Sequence, residues 1–293
     1  MPSEPSTPHD VAAGLAANGY LADEGLVTAV FLALSLHRPL FLEGEAGVGK
    51  TELAKTIARW QGTELIRLQC YEGIDAAQAV YDWDYSRQLL HLRTVEATGE
   101  ATSIGAEKLE GQLYSERFLI RRALLQAIDQ HTGVSPVLLI DEIDRADEPF
   151  EAFLLEYLGE YQVTIPELGT ITADSTPVTI LTSNRTRELN DAVKRRCLYH
   201  WLDYPDRDRE LAIISAQVPG ASEKLAQQVA DVVTRLRNQP FSNAFQRCPL
   251  PTRLKPLCAS NAMLATAAKA PLLCCVRVCG CRGAIMASVV VRW

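Results

Sequence analysis

The sequence predicts an α/β fold, a mainly parallel sheet covered by helices, and three observations lead there. Short apolar runs alternate with longer segments of helical composition. A glycine-rich loop stands between one such run and one such segment, and two further runs end abruptly in carboxylate or amide side chains. Strands that alternate with helices pair parallel, because each covering helix returns the chain to the same edge of the sheet. A chain of 293 residues, 47% hydrophobic and 22% charged, suffices for one large core and a smaller one.

Taken in order, residues 1–20 read as an N-terminal extension. They open MPSEPSTPHD, without the basic start and apolar run of a secretion signal, and no later stretch reaches the roughly 18 uncharged apolar residues of a membrane helix. A cytoplasmic protein with no membrane span is expected. Leu21 to Leu36 carries apolar side chains at helical spacing and stops at His37-Arg38-Pro39. Pro39 to Leu42 is too short and apolar for anything but a buried strand, and Glu52 to Trp60 is helical. Leu65 to Gln69, Val137 to Ile140 and Val178 to Thr182 are further strands, and Arg117 to Asp129 and Pro149 to Leu158 are helices. Residues 21–205 form the main domain on this reading. Asp206 to Val218 and Ala221 to Arg237 are two more helices, the second with Leu225, Val229, Val232, Val233 and Leu236 on one face, so that 206–238 begins a separate helical unit.

Charge divides the chain after Asp231, the last of its 36 carboxylates. Nine of the 29 Lys and Arg follow it, so the first part holds 20 cations and a net charge of −16, and the rest carries +9. An acidic main domain excludes a general nucleic-acid binder, which needs a basic face against phosphate. Six of the eight cysteines (Cys248, Cys258, Cys274, Cys275, Cys279 and Cys281) also fall late, while Cys70 and Cys197 stand alone before them and are expected to be reduced. Residues 239–293 combine four closely spaced prolines, an Ala-rich stretch and LLCCVRVCGC without caps or sustained periodicity. We expect this Cys-rich, acid-free tail to be disordered or poorly packed. Its composition is that of a GC-rich gene read out of frame, with a natural divergent tail or metal binding by Cys274, Cys275, Cys279 and Cys281 as the alternatives.

The chemistry begins at GEAGVGKT, Gly44, Glu45, Ala46, Gly47, Val48, Gly49, Lys50 and Thr51, which fits G-x-x-x-x-G-K-[ST] between a strand and a helix. The glycines let successive backbone N–H groups face a phosphate, and the helix behind adds its positive end. Lys50 would reach the β- and γ-phosphates of a nucleotide, and the Thr51 hydroxyl would ligate Mg²⁺. VLLIDE places Asp141 and Glu142 at the carboxyl end of a strand, the edge where such sheets bind ligands. Asp141 would hold the Mg²⁺ and Glu142 would polarise the attacking water. TPVTILTSN ends another strand in Asn184, able to hydrogen-bond the γ-phosphate or that water. Lys194-Arg195-Arg196-Cys197 follows, a basic run that would otherwise be a solvated helix end.

In this order the motifs resemble those of AAA+ ATPases, over about residues 20–238. The resemblance makes Gly44 to Thr51 Walker A, Asp141 and Glu142 Walker B, Asn184 sensor 1 and Arg196 the arginine finger, with Arg195 the less favoured bearer of that role. It implies ATP and Mg²⁺ as cofactors, a P-loop core followed by a helical lid, of which this chain carries only a partial version at 206–238, and a homo-oligomer, usually a hexameric ring, in which the finger serves a neighbour's ATP. Asp144-Arg145-Ala146, the helix Glu151 to Leu158 and the hairpin Gln162 to Ile171 are similar to the MoxR branch. GEAGVGKTELAK, QCYEGIDAAQAVYDWDY and RRCLYHWLDYP resemble its CoxD-like subgroup, which implies a chaperone maturing a molybdenum hydroxylase of the carbon monoxide dehydrogenase class, that enzyme or its assembly factors being the client. A nucleotide-binding scaffold without turnover and a different P-loop NTPase are the alternatives, although neither a Leu-Ser-Gly-Gly nor an Asn-Lys-x-Asp motif is present. Tyr71, Tyr81, Trp83 and Tyr85 read as core packing before a client grip, and His91, His131 and His200 as structural.

Overall fold

The computed structural model describes residues 5–98, 106–129, 135–217 and 222–237. The tail after Asn238, its cysteines and His131 lie outside them. Five strands, β1 (Leu40–Gly44), β2 (Leu65–Gln69), β5 (Val137–Asp141), β8 (Val178–Ser183) and β9 (Leu198–Leu202), form one all-parallel sheet in the order β2-β5-β8-β1-β9. Two short antiparallel pairs accompany it, β3 (Tyr81–Trp83) with β4 (Leu119–Arg121) and β6 (Gln162–Ile165) with β7 (Gly169–Thr172). The α/β expectation therefore holds, and the hairpin expected within Gln162 to Ile171 is present.

The period-2 alternation of the central strands explains the layering. Every residue of β5 is buried, yet Val137 and Leu139 enter one core and Leu138 and Ile140 the other. Leu40 and Leu42 part from Phe41 in the same way. The first core is covered by helices α1 (Pro8–Ala17), α2 (Glu24–Ser35) and α3 (Lys50–Gln61). Helices α4 (Ala76–Val80), α5 (Tyr85–Thr98) and α6 (Ala106–Leu113) come next in the chain, and opposite the first core α7 (Ala123–Ile128), α8 (Glu148–Glu160) and the β6–β7 hairpin close the second. α1 lies within the stretch expected as an extension, starts from a Thr7–Asp10 capping box and buries Val11 and Leu15. Its Gly14 packs so closely on Trp60 of α3 that an added Cβ would lie 2.2 Å from the indole.

Two expectations need correction. Arg117 to Asp129 is not one helix: Glu116–Phe118 is a short 3₁₀ turn, Leu119–Arg121 is β4, and only Ala123–Ile128 is α-helical. Pairing of β4 with Tyr81–Trp83, 36 to 40 residues away, overrides the local helical composition and lets Phe118 and Leu119 into the core. After α9 (Asp191–Arg196) and α10 (Arg207–Gln217), helix α11 (Glu223–Arg237) turns a different face inward from the one expected. Ala226 and Ala230 are buried against Ile214, with Leu225, Val229 and Val233 at the margin, and Val232 is exposed. Small side chains allow the close approach of α10, which a list of large apolar residues does not reveal. The aromatic cluster divides: Trp83 is buried edge-on to Tyr81 and Tyr114, whereas Tyr71 and Tyr85 are exposed. Among the described residues no helix is long and apolar enough to cross a membrane.

Candidate functional site

β1 delivers the chain directly into the glycine loop. Gly44 is required by close approach, since a Cβ there would sit 2.3 Å from the Leu202 carbonyl oxygen of β9. Gly47 and Gly49 have φ of 87° and 100°, a region that side chains disfavour, and Gly49 immediately precedes α3. Lys50 is the first residue of that helix. It is buried, and its Nζ turns back to donate to the carbonyls of Gly44 at 2.5 Å and Glu45 at 2.9 Å. Burial lowers its pKa from the ordinary lysine value, while the carboxylates of Asp144, Asp141, Glu45 and Glu142 act to raise it. The loop is braced from β9's side by the Tyr204 hydroxyl, which donates to the Ala46 carbonyl at 3.3 Å.

β5 ends beside this loop. Asp141 is only 4% exposed and accepts from the Thr51 hydroxyl at 3.2 Å, from the Thr182 hydroxyl, and from Arg67, whose Nε lies 3.1 Å away. Thr182 in turn accepts the backbone N–H of Glu142 at 3.0 Å. Glu142 adopts a left-handed conformation, φ 56° and ψ 48°, uncommon for a residue with a side chain. Its carboxylate is 2.9 Å from the Arg145 guanidinium. Cys70, next to this corner, is no nucleophile: burial and then Asp141, Asp144 and Glu142 push its thiol up to about 12.

Asn184 directly follows β8, which lies between β1 and β5, so the strand order places it between the loop and the carboxylates. Its backbone is fixed by buried Asp144, which accepts the N–H groups of Asn184 at 3.2 Å and Thr186 at 2.9 Å, and the Thr186 hydroxyl. Further along, buried Glu151 takes the Asn190 N–H at 2.9 Å and pairs with Arg187. Two carboxylates thus pin the segment leading from Asn184 to α9.

Arg196, the last residue of α9, is not brought to this corner. It packs at Gly159 near the end of α8 and lines an open groove with Arg38, Pro39, Glu156, Glu160 and Arg195. Arg38 and Pro39 precede β1, and the Leu198 N–H donates to the Pro39 carbonyl at 2.8 Å, so Arg196 lies at the amino edge of the sheet. Lys50, Thr51, Asp141, Glu142 and Asn184 are at the carboxyl edge, a strand's length away. Reading the sequence alone missed Arg67, Thr182, Asp144 as an anchor, and Glu151. Thr182 was accessible through period 2, since it is two residues before Asn184 on the same strand. Arg67 shares β2 with a polar Gln69, a weak signal. The two anchors gave none, because their partners are backbone N–H groups in a loop.

The Thr51 hydroxyl and the Asp141 carboxylate are hard oxygen donors at the mouth of the loop, a set that suits a hydrated Mg²⁺. No curated protein matches the chain. A crystal structure of a protein assigned as an ATPase from Cytophaga hutchinsonii is similar, with a TM-score of 0.50 and 16% identity over 77% of this chain and 62% of that one, a likeness of fold. This chain therefore spans less than two thirds of that protein's length. The family model for the AAA domain, dynein-related subfamily, matches residues 39–197, more than half of the chain and the whole interval from β1 to the start of β9. With Lys50, Thr51, Asp141, Glu142 and Asn184 gathered at one sheet edge within that interval, the chain belongs to the dynein-related subfamily of AAA domains.

Proposed function

We propose that the chain binds and hydrolyses ATP with Mg²⁺, as a remodelling ATPase of MoxR type. The observation that carries this is the convergence of a phosphate-cradling loop, a buried lysine and two strand-end carboxylates at one corner. Phosphoryl transfer needs mainly positioning and charge stabilisation, and those are the parts present. The loop N–H groups and Lys50 hold the β- and γ-phosphates. Thr51 and Asp141 would hold Mg²⁺, which when bound offsets the charge on the transferring group. Glu142 orients water, and Asn184 fixes its position against the γ-phosphate. Arg196 supplies charge to a neighbouring subunit's ATP, consistent with its place at the far edge, so the working form is a ring, of six subunits by analogy with the family.

The finer reading rests on the motif text: a cytoplasmic chaperone, similar to the CoxD-like subgroup, whose client is a molybdenum hydroxylase or its assembly factors. On it, residues 21–205 are the ATPase core, 206–238 the start of the lid and 239–293 a tail outside the functional unit. Steady-state phosphate release tests the activity. Wild type should turn over, Lys50→Ala should lose nucleotide binding, and Glu142→Gln should bind nucleotide without turnover. Equal rates for wild type and Glu142→Gln would end the assignment and favour a non-hydrolysing scaffold or another use of the loop. Pull-down from extract with ATP-loaded Glu142→Gln protein identifies the client.

A further inference from the structure

The carboxylate assigned above to the metal already carries a cation from its own chain. Arg67 projects from β2, the edge strand beside β5, and approaches the same Asp141 oxygen, Oδ2, through both Nε at 3.1 Å and Nη2. A second bond from Nη2 to Gln69 Oε1 steadies the fork. The exposures are unequal: Asp141 is 5% exposed by side chain, whereas Arg67 is 48% exposed. A buried carboxylate must be paired, but the half-exposed guanidinium can swing into water at little penalty, unlike the carboxylate, which cannot leave. Asp141 therefore has one fixed anion and a removable cation.

The other groups at this corner sharpen the point. Glu142 is paired with Arg145, and Lys50 is turned onto loop carbonyls, so neither competes for Asp141. The Thr182 hydroxyl donates to Oδ1, and the Thr51 hydroxyl is shared between Oδ1 at 3.2 Å and Oδ2 at 3.3 Å, so that Arg67 is the charged partner of Oδ2.

We propose that Arg67 is a resident counter-ion that competes with the divalent cation for Asp141, holding the metal site closed to free ion and yielding it when metal arrives with nucleotide. This rests on the assignment of Asp141 to the metal. Arg67 is on this account a positioning residue, setting the metal concentration at which the site fills. Removing its charge takes away a repulsion between a monovalent and a divalent cation a few Å apart, which even in water corresponds to about a tenfold change in affinity.

The test uses Mn²⁺, which takes the same oxygen donors and has a spectroscopic signal. The full chain, free and saturated with ADP, is titrated with Mn²⁺ and free ion is read by electron paramagnetic resonance, for wild type, Arg67→Gln, Arg67→Lys and Asp141→Asn. Arg67→Gln is expected to bind Mn²⁺ about tenfold more tightly without nucleotide, and Arg67→Lys, which keeps the charge without the fork, to lie between it and wild type. The Arg67→Gln gain should vanish in the Asp141→Asn background. Unchanged or weaker binding in Arg67→Gln, with Asp141→Asn weakened, would overturn the counter-ion role alone and leave the metal assignment standing. Unchanged binding in Asp141→Asn would overturn both. If Arg67→Gln fails to fold, Arg67→Met, which also lacks the charge, takes its place, and wild-type Mn²⁺ affinity there decides against the proposal.

Discussion

Asp144 accepts the backbone N–H of Asn184 at 3.2 Å, so the residue expected to contact the γ-phosphate is held by a carboxylate three positions beyond the strand end that supplies Asp141. The end of β5 and the end of β8 are thereby one rigid unit.

Asp144→Ala should loosen that unit. It strips partners from the Asn184 and Thr186 N–H groups and the Thr186 hydroxyl, and a buried donor left unpaired costs about 1 to 3 kcal/mol. Denaturant unfolding should show a loss in that range, and phosphate release should fall because Asn184 is no longer fixed. Unchanged turnover would mean that Asn184 needs no such support.

Mixing experiments address Arg196. Arg196→Ala subunits should bind ATP yet not hydrolyse it, and adding Lys50→Ala subunits should restore some turnover, because a mixed interface then holds one intact nucleotide site and one intact arginine. Phosphate release strictly proportional to protein concentration, with no rescue on mixing, would show that Arg196 does not act between subunits.

Gly14→Ala sets two effects against each other. Alanine favours a helix interior over glycine by about 1 kcal/mol, but the new methyl would meet the rigid Trp60 ring at 2.2 Å, and overpacking costs about 1 to 3 kcal/mol. Net destabilisation is expected. In a Trp60→Leu background the clash is gone and the same substitution should stabilise, a reversal of sign readable from unfolding midpoints. Destabilisation in both backgrounds would show that α1 does not rest on α3.

Acid should weaken the packing of β9 on α2 through His200. Burial lowers its pKa from the ordinary 6.5, and Asp23, 3.9 Å away, only partly opposes this. The folded state thus binds its proton at lower pH than the unfolded chain. Stability should be full above about 6.5 and should decline as pH falls from there toward the lowered value. His200→Gln should flatten that part of the stability profile; an identical slope would assign it elsewhere.

The sheet was legible because its strands are buried on both faces, and unbroken runs such as VLLID announce themselves. The placement of the glycine loop and Asp141 at the carboxyl edge was legible because each directly follows or ends an apolar strand. β4 was not, since its partner lies 36 to 40 residues upstream and Leu119-Ile120-Arg121 carries no marker of its own. Arg67 was hidden for a related reason: its meaning depends on β2 lying beside β5, and adjacency of parallel strands is a property of the topology, absent from any local pattern. The tail readings concern residues outside those described.

On the proposed role of Arg196, its separation from Lys50 along the strand direction would give each copy a polarity, with a giving edge and a receiving edge. Two copies related by a two-fold axis serve both sites only where they lie antiparallel, with Arg196 of each set against the glycine loop of the other. Head-to-tail stacking matches the edges without that reversal, and such stacking either closes or grows without limit depending on the angle turned per subunit. On the proposed role of Arg196, hydrolysis is thus a readout of closure: an unclosed stack of n subunits leaves one nucleotide at its end unserved, and a closed one leaves none.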